Sequence, residues 1–285
     1  MLGMRVTMAS LRFFGRRAAS WLVWWVCWYF VLAGTVGSRA SADFLRRLGL
    51  PSGLWARHRH FWSFARVAVD RLLFLSGRTQ GLTIELHGHE LLMDLVAQKK
   101  GALLLGAHLG SFEAMRCMAG QYETPLLVIA DFQNARKFNA LIQNLSPGSK
   151  VKLLEIDERD PMGMLTVKEA VERGELVALL GDRATGRPER DVKVSFFGAR
   201  APLPIGPWVI AHVLECPVFF VSALFTAPAR YDVYCEPLVD RVVLARGRRV
   251  EAIAEYAQRF ATLLEARVRA APQNWFNFFP FWEDS

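Results

Sequence analysis

The sequence lacks the groups that define metal, disulfide or nucleotide-binding proteins. Its four cysteines are far apart and form no C-x-x-C pair; they are Cys27, Cys117, Cys216 and Cys235. This spacing suggests neither a zinc site nor a disulfide framework and fits a reducing compartment. Neither G-x-x-x-x-G-K-[ST] nor G-x-G-x-x-G occurs, which disfavours nucleotide-dependent chemistry. We therefore expect no metal and no bound cofactor.

Acidic residues are in short supply relative to basic ones. The chain has 27 Asp and Glu against 35 Lys and Arg, a formal net charge of +8. Such an excess predicts an anionic partner, which could be a lipid surface, an acidic carrier protein or nucleic acid. Nucleic-acid binding has only this charge in its favour. The 9 Trp and 20 Phe favour lipid, because aromatic rings with a polar edge suit the membrane interface.

The N-terminal segment combines an uncharged run with flanking arginines. No residue from Ala18 to Ser38 is charged, and its core, WLVWWVCWYFVLAGTV, would form a helix of roughly 24 Å against the ~30 Å of a bilayer core. A spanning helix is oriented by a difference in positive charge between its two flanks, and that difference is missing here. Arginines lie on both sides of the run: Arg12, Arg16 and Arg17 before it, and Arg39, Arg46 and Arg47 after it. We predict a helix that lies in, or dips into, the membrane interface.

A cleaved signal peptide is the alternative for this segment. A basic start, an apolar region and Ala40-Ser41-Ala42 also match that pattern. The Trp-rich core is unusual for a cleaved segment, however, and nothing downstream indicates disulfide stabilisation. We therefore assign residues 1–50 to a membrane-anchoring segment and residues 51–285 to one domain.

Strand-like and helix-like stretches alternate through that domain. The alternation predicts an α/β fold with a central, mostly parallel sheet flanked by helices. Expected strands are TIELHG, GALLLGAH, PLLVIA, VKLLEID, LVALLGD, VKVSFFG, PVFFVSAL and YDVYCEP. Expected helices are His58 to Ser76, Ser111 to Gln121, Asn134 to Leu145, Pro161 to Arg173, Gly206 to Glu215 and Arg248 to Arg269. Ligands of such sheets bind beyond the carboxyl ends of the strands.

One of those ends carries the pattern H-x-x-x-x-E, in GALLLGAHLGSFEAMR. His108 ends an apolar strand and Glu113 follows in the first turn of a helix. With 6 His and 27 acidic residues, about 0.6 such matches are expected by chance, and a second match joins His89 to Asp94. HELLMDLVAQ reads as one continuous helix, in which side chains five positions apart point about 140° away from each other, so His89 and Asp94 diverge. His108 and Glu113 span a turn, so we expect them to meet.

A carboxylate that is hydrogen-bonded to one imidazole nitrogen leaves the other nitrogen free to accept a proton from an alcohol. We therefore predict that His108 is a general base and Glu113 its partner. The alternative is a buried structural histidine beside Glu113.

At another strand end, Asp182 and Arg183 are candidates for binding an anion. The stretch from Phe197 and Gly198 through Pro202 predicts a stiff turn that either lines an acyl channel or forms a structural corner.

Several blocks together resemble the bacterial lipid A biosynthesis acyltransferases, within the lysophospholipid acyltransferase superfamily. The blocks are AHLGSFE, LLGDRATG, FFG-x-x-AP-x-P-x-G and the terminal NWFNFFPFW, in the order of that family. The resemblance implies that His108 and Glu113 form the catalytic dyad. It also implies that substrate is bound by Asp182, Arg183, Phe197, Gly198 and Pro202. GDRATGR differs from the Asp-Gln common in lipid A enzymes, which leaves the acceptor open.

The resemblance implies an O-acyltransferase on the cytoplasmic face of the inner membrane. Its donor would be an acyl thioester of acyl carrier protein or coenzyme A, and its acceptor an envelope lipid or glycolipid. Transfer would be direct, without an acyl-enzyme, and N–H groups near Gly110 and Ser111 would assist at the oxyanion. The cluster from Arg246 to Arg249 would dock the acidic carrier or be a solvated surface.

Two other functions stay open. One is a serine hydrolase using Ser111, although no G-x-S-x-G elbow is present. The other is a lipid-binding module that keeps the fold without the chemistry.

Overall fold

The computed structural model describes residues 20–75, 77, 79–121, 125–130, 151–155, 161–227 and 229–282. Its helices are α1 (Ser20–Leu32), α2 (Val36–Arg47), α3 (Leu54–Leu75), α4 (Glu90–Ala97), α5 (Phe112–Gln121), α6 (Pro161–Glu172), α7 (Gly206–Leu214) and α8 (Arg249–Ala270). Its strands are β1 (Thr83–His87), β2 (Ala102–Gly106), β3 (Leu126–Ala130), β4 (Val151–Glu155), β5 (Leu176–Leu180), β6 (Asp191–Phe196), β7 (Ala199–Pro204), β8 (Val218–Ala227) and β9 (Arg230–Val239).

Seven strands form the central sheet, in the order β1-β9-β8-β2-β5-β3-β4. Every neighbouring pair is parallel except β8 and β9, which form an antiparallel hairpin. All five residues of β2 are buried, and β5 is buried over its first four. Strands covered on both faces read as continuous apolar runs, which is why ALLLG and LVALL contain no polar residue. The expected mostly parallel α/β sheet is confirmed.

Helices cover both faces of this sheet. On one face, α8 buries Phe260 and Leu264 in a core that also includes α6, α7 and the β6–β7 hairpin. On the other face, α4 and α5 pack over the central strands, and α3 packs beside α5 through Val67 and Phe74. The carboxyl ends of β2 and β5 are left at one edge of this layered structure, where their loops can meet.

The expected helices that fall on described residues are confirmed to within a few positions. The helix expected from Asn134 to Leu145 lies outside the described residues, as do Arg12, Arg16 and Arg17. The expected stiff turn after β6 is wrong: Phe197 and Gly198 form a two-residue turn with φ of 51° and 76°, and β7 returns antiparallel to β6. Consecutive positive φ values match the twist of a hairpin, so the sequence Phe-Gly acts as a hairpin turn.

The N-terminal helices pack against α3. Cys27 and Val31 of α1 are buried against Phe61, and His58 Nε2 lies 3.0 Å from the carbonyl oxygen of Trp24. Within the described ranges, no single helix is long and apolar enough to cross a bilayer, whereas α1 and α2, bent by 87° at their junction, meet the length and composition test only as a pair. Ser41, in the middle of the candidate cleavage motif, is buried in α2.

Candidate active site

The central feature of the site is a hydrogen-bonded pair formed by His108 and Asp182. Strands β2 and β5 are parallel neighbours in which Gly106 lies opposite Leu180. Two residues further along each strand, the same register brings His108 beside Asp182. The His108 Nδ1 atom lies 2.9 Å from Asp182 Oδ1, and the His108 backbone N–H donates to Asp182 Oδ2 over 2.9 Å.

This double contact determines which imidazole nitrogen is available for chemistry. The Asp182 side chain is 4% exposed, whereas that of His108 is 33% exposed. An ionised carboxylate only accepts hydrogen bonds, so the neutral imidazole carries its proton on Nδ1 and presents Nε2 as a proton acceptor. A base oriented by a buried carboxylate in this way is the arrangement that activates a hydroxyl nucleophile.

The turn that follows His108 is held by the C-terminal segment. Phe276 N–H donates to the His108 carbonyl oxygen over 2.9 Å, and Leu109 forms a bridge with Trp275. Gly110 has a φ of 73°, and a Cβ built there would lie 1.7 Å from the Ala223 carbonyl oxygen. Only glycine fits this position.

The backbone donors proposed for the oxyanion are already engaged, which corrects that expectation. Gly110 N–H donates to the Asn274 carbonyl oxygen and Ser111 N–H donates to the Ala223 carbonyl oxygen, both over 2.8 Å. The Ser111 side chain is also committed: it is 1% exposed, and its Oγ accepts a hydrogen bond from Ala114 N–H. A buried N-terminal capping hydroxyl does not suit the serine nucleophile of the hydrolase alternative.

Glu113 contacts an arginine instead of the histidine expected from the sequence. Its Oε1 lies 2.6 Å from Arg71 Nε of α3. Across the part of the chain that the structure describes, no hydrogen bond joins Glu113 to His108, whose carboxylate partner is Asp182. Burial raises the pKa of the Glu113 carboxyl above its usual value, while the charges of Arg71 and Arg116 act in the opposite direction. A role of Glu113 in the reaction remains a prediction.

The second pair with the same spacing behaves as its helical context predicts. His89 directly precedes α4 and Asp94 lies within that helix. Local structure, and not spacing, therefore distinguishes the pair His89 and Asp94 from the pair His108 and Glu113.

The remaining predicted residues lie in two neighbouring segments. Arg183 is exposed, and its guanidinium carbon lies 4.9 Å above the Phe279 ring. Phe197 is buried against Phe44 and Trp275, while Gly198 occupies the exposed hairpin tip and Pro202 lies in β7 opposite Lys193. Whether these four residues bind substrate remains a prediction.

An apolar cavity of about 80 Å³ lies between the sheet and the pair of helices α4 and α5. Its lining includes Leu104, Leu126, Ala178, Val221, Phe112 and Met115. Leu104 and Gly106 belong to the same face of β2, and His108 follows two positions beyond the end of that strand. Sequence reasoning missed this cavity, because its walls come from eight separate strands and helices.

Three described side chains lie close enough together to share a cation: Glu85, His87 and Asp232, whose candidate ligand atoms are all within 4.8 Å of one another. Arg230 already supplies a positive charge there, with Nη2 at 2.7 Å from Glu85 and 3.1 Å from Asp232. The cluster therefore reads as an ion-pair network at the sheet edge.

The cluster from Arg246 to Arg249 lies far from the His108–Asp182 pair. Val239 pairs with Val218, which places the end of β9 at the amino ends of the parallel strands. From there, the 22 residues of α8 extend for about 33 Å toward the segment that contacts Leu109. A carrier docked at this cluster would be separated from His108 by the length of that helix.

Comparison with known proteins connects this geometry to a family. No curated protein matches the chain. The family model described as bacterial lipid A biosynthesis acyltransferase matches residues 58–284, a range that includes His108, Asp182 and the C-terminal segment that supports them. The chain therefore belongs to the bacterial lipid A biosynthesis acyltransferase family.

Proposed function

We propose that this protein transfers a fatty acyl chain from a thioester donor to a hydroxyl group of a lipid A-like acceptor, with His108 as the general base. The family supports an acyltransferase with an acyl donor and a lipid acceptor. The observation that carries the proposal is the contact between His108 Nδ1 and the buried Asp182 carboxylate, because it leaves Nε2 as a proton acceptor.

The reaction proceeds in one transfer with no acyl-enzyme. His108 Nε2 takes the proton of the acceptor hydroxyl as its oxygen attacks the thioester carbonyl carbon. Asp182 stabilises the imidazolium that forms. The tetrahedral intermediate collapses with cleavage of the carbon–sulfur bond, and the imidazolium returns the proton to the departing sulfur. An ester and a free thiol are the products.

The acyl chain occupies the apolar cavity beneath the site. Leu104, which lines the cavity, and His108 lie four residues apart, a distance of about 13 Å in extended chain. Gly106 lies between them and has no side chain, and the nearest neighbouring side-chain atom is Leu180 Cδ2, 3.2 Å from where a Cβ would be. Burial of methylene groups, at about 0.8 kcal/mol each, would select chains that fill the cavity.

The protein works at a membrane surface, to which α1 attaches it. Trp21, Trp25, Tyr29 and Leu32 recur at helical spacing and are each 59% exposed or more. The opposite side of α1 is buried against α3 through Cys27 and Val31. A helix with one packed face and one exposed aromatic stripe is suited to lie in the interface, where rings and acyl chains meet. We place it at the inner membrane, facing the cytoplasm.

The donor is a thioester of acyl carrier protein or coenzyme A. Arg183 and Arg187, both exposed in the loop that begins at Asp182, provide positive charge close to the reacting groups. They are better placed to attract an anionic donor than the distant cluster at Arg246 to Arg249.

The test is lipid mass spectrometry of a strain lacking the gene, complemented with the wild type or with His108→Ala. Wild type should restore one acyl-shifted lipid, and His108→Ala should not, although it should still accumulate and bind membranes. An unchanged lipid profile in the deletion strain would contradict the proposal. Purified enzyme supplied with either acyl carrier protein or coenzyme A thioester then identifies the donor.

A further inference from the structure

His60 of α3 is a fully buried histidine with a partner at each ring nitrogen. Its Nδ1 atom lies 2.8 Å from the Ser41 hydroxyl oxygen of α2, and its Nε2 atom lies 2.7 Å from the Trp275 carbonyl oxygen. Burying a polar ring is costly unless its hydrogen bonds are made, and both are made here. The ring therefore ties two N-terminal helices to the C-terminal segment.

The two partners determine where the imidazole carries its proton. Burial lowers the pKa of His60 to about 4, although the hydrogen bond to Trp275 acts in the opposite direction. The ring is therefore neutral at neutral pH. A carbonyl oxygen only accepts hydrogen bonds, so Nε2 donates to Trp275, and Nδ1 accepts from the Ser41 hydroxyl. His60 thus presents a fixed N–H donor to the C-terminal segment.

The carbonyl that His60 holds belongs to the same peptide group as the N–H that holds the base. The Trp275 carbonyl accepts from His60, and the Phe276 N–H donates to the His108 carbonyl oxygen over 2.9 Å. A trans peptide group is planar, and its C=O and N–H point in opposite directions. Fixing the direction of the carbonyl therefore fixes the direction of the N–H that reaches His108.

The other contacts of this segment do not replace that of His60. Asn277 N–H also donates to the Trp275 carbonyl oxygen, over 2.8 Å, but it belongs to the same segment and moves with it. The Asn274 side chain binds both polar backbone groups of Phe225, which anchors the preceding residue to β8. Among the described contacts, His60 alone ties the Trp275 carbonyl to another element.

We propose that His60 is a positioning residue for His108, acting through the peptide group between Trp275 and Phe276. The inference rests on the proposed acyl transfer. A general base must lie within hydrogen-bond reach of the hydroxyl that it deprotonates, and a misplacement of about 1 Å costs about 10²-fold in rate. His60 supplies no group to substrate binding in this scheme, so its loss should lower kcat and leave KM nearly unchanged.

The experiment measures kcat and KM in detergent micelles for wild type, His60→Gln, His60→Asn and His60→Leu. The amide nitrogen of glutamine reaches about as far from the backbone as the Nε2 of histidine, whereas that of asparagine reaches only as far as Nδ1. His60→Gln keeps a donor for Trp275 and should retain kcat within about threefold. His60→Asn and His60→Leu lose that donor and should lower kcat by roughly 10- to 100-fold, with KM within about threefold.

His58→Leu is the matched control. His58 is also buried on α3, and its Nε2 also lies near a backbone carbonyl oxygen, that of Trp24 in α1, at 3.0 Å. This variant loses the same kind of contact without touching the C-terminal segment, so its kcat should stay within about threefold of wild type. The folded fraction of every variant at the assay temperature is measured by circular dichroism, and kcat is expressed per folded molecule.

Hydrogen exchange tests the same idea without any substrate. The amides of Gly110 and Phe276 are bonded in the pairing that holds the turn. His60→Leu should make both exchange at least about tenfold faster, because the turn opens more readily. His60→Gln and His58→Leu should leave their exchange near that of wild type.

The outcomes separate this inference from the proposed function. Unchanged exchange in His60→Leu overturns the inference, as does a kcat in His60→Leu no lower than that of His58→Leu, or a His60→Gln variant as slow as His60→Leu. If His60→Leu does not fold, His60→Gln against His60→Asn decides by the same criteria. Faster exchange at both amides supports His60 as the residue that holds this turn even if the wild type transfers no acyl chain, a result that would remove the proposed function alone.

Discussion

Replacing Asp182 with asparagine should disable the base while preserving the fold. The carboxylate is buried and accepts two hydrogen bonds of 2.9 Å from His108, one from the backbone and one involving Nδ1. An asparagine keeps one oxygen acceptor and replaces the other by an NH2 donor, so the amide cannot satisfy both contacts. If the oxygen serves the backbone N–H, the NH2 group faces Nδ1 and favours the tautomer with the proton on Nε2, which cannot accept a proton.

The expected loss in kcat is about 10²- to 10⁴-fold, the range for general-base catalysis and for the same exchange in serine proteases. Loss of one hydrogen bond to a charged group costs about 1.5–3 kcal/mol, which lowers the melting temperature by about 3–12 °C. Thiol release from the donor and the acylated lipid product would both be followed, with Asp240→Asn, exposed at the far end of the sheet, as the control. A kcat within tenfold of wild type would refute the assignment of Asp182 as the partner of His108.

Four further changes test other parts of the structure. Gly110→Ala should abolish activity and lower soluble yield, because its Cβ would meet the Ala223 carbonyl oxygen; normal yield and activity would contradict the strained turn. Ala178→Phe, which reduces the cavity, should shift donor preference toward shorter acyl chains in competition assays, and an unchanged preference would remove the cavity as the acyl site. Burial lowers the pKa of His60 to about 4, below its unfolded value of about 6.5, so the unfolded state binds more protons between these pH values. Stability should therefore fall by up to about 3 kcal/mol as the pH drops through that window, and urea melts of His60→Gln should show a flatter dependence. Replacing Trp21 and Trp25 with serine should weaken flotation with anionic vesicles, whereas equal binding would exclude α1 as the attachment.

Much of the fold follows from local patterns in the sequence. The sequences of β2 and β5 are continuous apolar runs, without the alternation of apolar and polar residues that marks a strand with one exposed face. They therefore predict parallel strands covered on both faces. The hairpin formed by β6 and β7 was missed because three prolines suggested a turn. Among the described strands, β7 pairs only with β6. Pro202 and Pro204 are tolerated because the backbone nitrogen of a proline can face the unpaired side of such a strand, where no ladder hydrogen bond is lost.

The candidate site was found in part. His108 and Asp182 were each located at a strand end, and GAH and GDR close two runs of similar length. The sequences of the two strands do not reveal that β2 and β5 are neighbours or which residues lie opposite each other, because strand order depends on long-range packing. Glu113 was assigned to His108 from the spacing, the turn between them and the family resemblance, whereas the partner found for it, Arg71, lies on α3, about 40 positions earlier. Spacing reports only which residues can meet, while competition among all buried charges decides which ones do.

The contact between Trp275 and the turn at Leu109 has a consequence for when the protein becomes active. A chain leaves the ribosome from its N-terminus, so His108 emerges well before residues 274–276 are made. Until those residues arrive, the backbone groups of His108 and Gly110 lack the partners that hold the turn. Assembly of the turn that carries the base therefore waits for residues 274–276, and a product truncated before them would retain His108, Glu113 and Asp182 but lack the contacts that hold this turn.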